Sequence, residues 1–162
     1  MPDTPVVSAI QAIQAILAPA VGISAVGLLL LGLNNRYSTI INRIRLLNDE
    51  RRKFVRFIAE GKELSYHDNA RYMSVAHQTD RLLIRSRYVR NAILSLQVAV
   101  ALFVLTSVAI ALDLFVDAVS IRLLPLALFI VGMLSVLVGI AFAALEVQKS
   151  FSIVLIELKA EE

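Results

Sequence analysis

The sequence predicts an all-α integral membrane protein. It has three transmembrane helices, the first two extended into a cytoplasmic helical hairpin, and a C-terminal cytoplasmic helix after the third. Three observations predict this. First, 58% of the 162 residues are hydrophobic and 18% are charged, against about 45–50% and about 25% in ordinary soluble domains. Second, the apolar excess is concentrated in three runs without a charged residue, at 4–35, 92–112 and 123–145. Third, the basic residues crowd between the first and second runs. A soluble chain of this length could not bury so much apolar surface, so a secreted domain, a cytosolic enzyme and a disordered binding arm are all disfavoured. Cysteine is absent, which removes a disulfide framework, thiolate metal sites and a cysteine nucleophile.

Each run meets or exceeds the roughly 20 residues that cross a hydrocarbon core about 30 Å thick. The spans are placed near 9–33, 92–112 and 123–145. They are read as helices because lipid offers no partner to free backbone groups, and because the runs lack the alternation of barrel strands. Only Asp3 is charged before the first run. Without a basic leader, and with an apolar stretch too long for a signal peptide, that run is read as an uncleaved anchor. Residues 1–33 are then the outer N-terminus and first span, 34–91 the cytoplasmic hairpin, 113–122 an outer turn, and 146–162 the tail helix.

Charge sets the orientation. Residues 34–91 hold 13 of the 16 Lys and Arg but 6 of the 13 Asp and Glu, a net charge of +7. The positive-inside rule makes this segment cytoplasmic, with the N-terminus outside and the C-terminus inside.

In the hairpin, no Gly or Pro interrupts residues 34–60. Tyr37, Ile40, Ile41, Ile44, Leu47, Phe54 and Ile58 form an amphipathic stripe that Arg51 interrupts. Gly61 is a helix stop, and Ser65 with Asp68 marks the next start. Tyr72, Met73, Val75, Leu82, Leu83 and Ile84 are the second arm's candidates for burial. Arg81, Arg85, Arg87 and Arg90 cluster beside the second span. They read as basic anchors that snorkel to lipid phosphates, with a regulatory site for an anionic lipid or nucleotide as the alternative. In the tail, Val147, Phe151, Val154, Leu155 and Leu158 share a face expected to pack on the hairpin, with Glu146, Lys149, Glu157 and Lys159 elsewhere.

The first span has an unusual face. At 100° per residue, Gln11, Ala15, Ala18, Gly22, Ala25 and Leu29 align and run into Arg36, with Gln14 and Gly32 at the margin. Small residues let helices approach closely, and Gln can hydrogen-bond between helices. The plain reading is helix packing, within one subunit or between subunits. The sharper reading is a water-filled axis in a ring of identical chains, with Leu29 as a hydrophobic constriction. Pro19 cannot donate to the carbonyl of Ala15. It is either a tolerated kink or a way to free that carbonyl toward a cavity. On the third span Ser135, Gly139 and Ala143, with Gly132 before them, form a close-packing row. Ala92, Ser95, Ala99, Thr106 and Ala109 form a weaker one on the second. In a ring, Asp113 and Asp117 would place acids around an outer mouth and favour cations; otherwise they belong to an ordinary solvated turn.

No ionisable residue lies at the middle of a span, which argues against a proton pump or ion-coupled transporter. His77 and Asp80 are one turn apart, but no further metal ligands accompany them, so no metal site is expected. Catalytic and nucleotide-binding motifs are missing. No enzyme activity, cofactor or nucleic-acid partner is expected.

The stretch Ala15-Ile16-Leu17-Ala18-Pro19-Ala20-Val21, then Asn34-Asn35-Arg36-Tyr37, then Ile41-Asn42-Arg43-Ile44-Arg45-Leu46-Leu47 resembles the DUF2721 family of small bacterial membrane proteins. An apolar helix with an internal Ala-Pro, an Asn-Arg at its inner end and an Arg-x-Arg helix carry the resemblance. It extends over nearly the whole chain. It implies a bacterial inner-membrane protein and transfers no catalytic residue.

Two functions are therefore expected from different classes. One is a homo-oligomeric ion channel or pore, favouring cations and lined by the first helix, whose partners are membrane lipids, copies of itself and inorganic ions. The other is a non-conducting scaffold or regulatory protein whose basic hairpin binds a partner or anionic lipid.

Overall fold

The computed structural model describes the backbone of residues 5–61, 65–115 and 123–160, and the side chains of residues 13, 14, 16–61, 65–112 and 123–149. The described residues are all-helical: α1 is Pro5–Ala59, α2 is Tyr66–Phe115 and α3 is Leu123–Ala160. Each is long and apolar enough to cross a membrane, with 18-residue windows reaching mean hydropathies of 2.3, 2.4 and 2.7.

The helix ends follow local chemistry. Arg56 and Ile58 carbonyls accept from the backbone N–H groups of Glu60 and Gly61. Gly61 turns the chain with φ of 73°, a conformation that costs a residue with a Cβ. Ser65 precedes α2, and its carbonyl accepts the Asn69 N–H at 2.9 Å. Pro19 lies inside α1 without ending it. No break separates the tail from the third span, because α3 runs through both.

Buried positions recur at seven-residue spacing. On α1 they are Pro19, Val26, Ile40 and Leu47, with Leu33 and Phe54 half-buried. On α2 they are Val75, Val89, Leu96 and Phe103, with Leu82 half-buried, flanked by Thr79, Ser86 and Ile93. On α3 they are Gly132, Gly139 and Glu146. Seven-residue spacing keeps one face of a helix toward its neighbours over many turns.

The chain divides into two compact units, Met1–Gly32 with Asn91–Ala141, and Leu33–Arg90 with Phe142–Glu162. In the first, Phe103 is the wedge. It is fully buried and its ring lies 5.5 Å from that of Phe129. A Cβ built on Gly22 would stand 3.0 Å from the Phe103 ring, and one on Gly132 would stand 2.8 Å from it. A Cβ on Gly139 would lie 2.9 Å from Leu96 and 3.2 Å from the Ala92 carbonyl oxygen. The Ser135 hydroxyl donates to the Ser95 carbonyl at 2.8 Å. The small residues of α3 thus let α2 side chains reach its backbone.

In the second unit the two arms are antiparallel. Phe54 meets Tyr72 edge to face at 6.2 Å, and Arg71 donates to both Glu50 oxygens at 2.8 and 3.2 Å. The stripe on the first arm is only partly covered: Ile40 and Leu47 are buried, Tyr37, Ile41, Ile44 and Phe54 are half-buried, and Ile58 is exposed. On the second arm Val75 is buried and Tyr72 and Leu82 are half-buried. Met73, Leu83 and Ile84 are exposed because they lie off the seven-residue row.

Candidate functional site

Two features stand out, one in each unit. The first is the small and polar face of α1. Gln14, Ala18, Ala25, Leu29 and Gly32 are exposed in the single chain. Gly22, expected on the same face, is instead half-buried against Phe103 inside the chain. Pro19 is buried on the neighbouring face with Val26, so it fills the chain's own packing surface and does not share the open face. At 100° per residue the open face is turned by roughly a quarter circle from the Pro19–Val26 face. The side chains of Gln11, Ala15 and Asp113, like the whole of Asp117, lie outside the described residues. So do the tail side chains from Phe151 onward. Across the helix, Ile13, Leu28 and Leu31 are exposed as well, giving the greasy side that lipid would cover.

The second feature is ionic. Glu146 is buried, with its side chain 2% exposed, and it is shared by two guanidinium groups. Arg36 Nη1 donates to Oε2 at 2.9 Å. Arg85 donates to Oε1 through Nη2 at 2.7 Å and through Nε at 3.1 Å. The two arginines remain in contact with water, Arg36 at 54% and Arg85 at 29% side-chain exposure. A carboxylate removed from water needs such partners, since burying a charge unpaired is costly. One turn on from Glu146, the Lys149 ammonium donates to the Tyr88 hydroxyl at 2.6 Å.

The seven-residue row explains how the carboxylate comes to be buried. Gly132, Gly139 and Glu146 occupy one line of α3, so the residue after the last apolar run inherits the inward direction. The sequence reading put Glu146 away from the packed face and Val147 on it. The structure reverses the two: Glu146 is buried and Val147 is 47% exposed. The other basic residues are placed differently from Arg85. Arg87 and Arg90 are exposed, and Arg81 approaches His77 Nε2 at 3.1 Å. In the row of four, Gly132, Ser135 and Gly139 make the α2 contacts described above, and Ala143 is half-buried.

Farther along the arms, Glu50 is held below the usual carboxylate range: the hydrogen bond from Arg71 outweighs the opposing effect of burial, and the charges of Arg71, Lys53 and Arg43 add to it. Arg71 is raised in turn by the same bond. No group of three or more His, Asp or Glu that could hold a metal ion occurs among the described residues.

The family model of the proteins of unknown function DUF2721 matches residues 16–156. No curated protein and no solved structure matches the chain. The matched segment takes in all three apolar helices and the Arg36–Glu146–Arg85 cluster, and the chain belongs to the DUF2721 family.

Proposed function

We propose that the protein is a homo-oligomeric ion channel or pore of the bacterial inner membrane, favouring cations, with its axis lined by α1. The N-terminus and the 113–122 turn face outward. The arms at 34–91 stand in the cytoplasm, and the end of α3 joins them there. The observation that carries this reading is the open face of α1. Gln14, Ala18, Ala25, Leu29 and Gly32 stay exposed while the adjacent Pro19–Val26 face is used inside the chain. Three helices cannot enclose an aqueous path alone, so a path along that face needs further copies. Arg36, at the inner end of the same face, shares a buried carboxylate with Arg85, and this offsets part of the positive charge that would repel cations there.

Cysteine scanning of residues 11–36 tests the proposal. Charged thiol reagents should reach positions 14, 18, 25, 29 and 32, and should not reach 19, 26, 28 or 31. Purified protein in liposomes should conduct. Protection at all of these positions, together with silent liposomes, refutes a pore. It would favour instead a non-conducting scaffold that recruits a partner through the exposed basic residues of the first arm, among them Arg52, Lys53 and Arg56.

A further inference from the structure

We propose that the Arg36–Glu146–Arg85 cluster is a binding site for the phosphate of an anionic membrane lipid. Three observations place it there. The first is depth. Arg36 is the first charged residue after the charge-free run of α1, and Glu146 is the first after that of α3. Arg85 lies seven residues before the run at 92–112, about 10 Å along a helix. Arg36 and Glu146 are thus the charges nearest the apolar runs of α1 and α3, and Arg85 meets Glu146 there, at the level of a lipid headgroup. Leu145, the residue before Glu146, is 42% exposed and offers an acyl chain an apolar surface beside the charge.

The second is charge. Two guanidinium groups share one carboxylate, which leaves one positive charge uncompensated. A phosphodiester carries one negative charge and closes that balance. The third is donor geometry. Arg36 spends only Nη1 on Glu146, and Arg85 spends Nη2 and Nε. Arg36 Nη2 and Nε and Arg85 Nη1 therefore remain for a ligand. A planar guanidinium with a free edge suits phosphate oxygens. Because the buried carboxylate already fixes both side chains, less rotamer freedom is lost when the ligand arrives. Glu146 acts as a positioning residue: it aims the donors and does not touch the lipid.

The proposal assumes that the chain spans a membrane with this cluster at one lipid boundary. It does not depend on conduction. The test uses the full chain in a neutral detergent, with thermal unfolding read at rising amounts of phosphatidylglycerol, phosphatidylcholine or inorganic phosphate. Phosphatidylglycerol should raise the unfolding temperature with saturation, and the other two should not. Arg36→Gln should weaken the apparent affinity about tenfold, the size of one lost charge-assisted hydrogen bond. Arg36→Lys, which keeps the charge and loses the fork, should fall between the two. Arg45→Gln, at an exposed position farther along the first arm and outside the cluster, should leave it unchanged.

Equal effects of phosphatidylcholine would overturn the proposal, and so would equal losses in Arg36→Gln and Arg45→Gln. A matching shift by inorganic phosphate would also overturn it and assign the cluster to a soluble anion. If Arg36→Gln does not fold, Arg36→Lys and Arg45→Gln still decide. Conductance, measured separately, reports on the pore alone.

Discussion

The two arginines on Glu146 are not equivalent, and the difference can be measured. Arg85 makes two contacts to the carboxylate, at 2.7 and 3.1 Å, and is 29% exposed. Arg36 makes one, at 2.9 Å, and is 54% exposed. A hydrogen bond to a charged group contributes about 1.5–3 kcal/mol, and solvent around an exposed partner reduces that. Arg85→Met leaves the buried carboxylate with a single, wet partner and should cost about 2–3 kcal/mol, approaching the range for a broken buried pair. Arg36→Met removes the weaker contact and should cost about 1 kcal/mol. Replacing all three charges by Arg36→Met, Arg85→Met and Glu146→Leu removes the desolvated charge itself. It should recover stability to within about 1 kcal/mol of the parent, because apolar replacements of buried ionic clusters are often neutral or better. Equilibrium unfolding of the full chain in mixed micelles measures all three. The reasoning is refuted if Arg36→Met costs as much as Arg85→Met, or if the triple variant is less stable than Arg85→Met alone.

Two further predictions use the same assay. Gly139→Ala and Gly132→Ala should each destabilise by about 1–3 kcal/mol, since the new Cβ would meet Leu96 and the Ala92 carbonyl, or the buried Phe103 ring, at 2.8–3.2 Å, whereas Gly27→Ala, with nothing within 4 Å, should be neutral or stabilising. Glu50 has its pKa lowered by Arg71, so its contribution is complete above the ordinary carboxylate value and is lost as pH falls through the lowered one; Arg71→Gln should flatten that part of an acid-unfolding profile, and an unchanged profile would show that the pair does not stabilise the arms.

Helix ends and the outline of the first arm were legible because they depend on neighbours in sequence. Gly61 needs only its own positive φ, Ser65 only the N–H four residues on, and Ile40 and Leu47 only the stripe they belong to. The site was less legible. Within an apolar span every residue looks ready for burial, so the pattern does not single out Phe103. What marks it is its fit against Gly22 of one helix and Gly132 of another, a complementarity between positions far apart in the chain. Glu146 was hidden for the opposite reason. A charge just past an apolar run reads as the first solvated residue, and the row Ser135, Gly139 and Ala143 was followed at a spacing of four. Followed at seven, from Gly132 through Gly139, the same row ends on Glu146. The isolated charge at the end of a glycine row was the signal, and Arg36 and Arg85 were the available counter-ions.

The glycines also bear on whether the chain acts alone. A glycine inside a helix costs about 1 kcal/mol relative to alanine, and it is retained where a close approach offsets the cost. Gly22, Gly132 and Gly139 have that compensation inside the chain, since a Cβ at each would meet a side chain at 2.8–3.0 Å. Gly27 and Gly32 have none, with nothing within 4 Å of either. They differ in direction, because five residues at 100° turn one from the other by about 140°. Gly32 lies at the edge of the open face of α1, and Gly27 lies away from it, toward the side of Leu31 and Ile13. In a ring whose axis runs along the open face, Gly32 at its edge comes near the neighbouring copies and Gly27 is turned toward lipid. Gly32→Cys should therefore cross-link between copies under mild oxidation in the membrane, and Gly27→Cys should not. Equal cross-linking at both positions would report random collision, and none at Gly32 would leave the open face to lipid and remove the support it gives to a ring of chains.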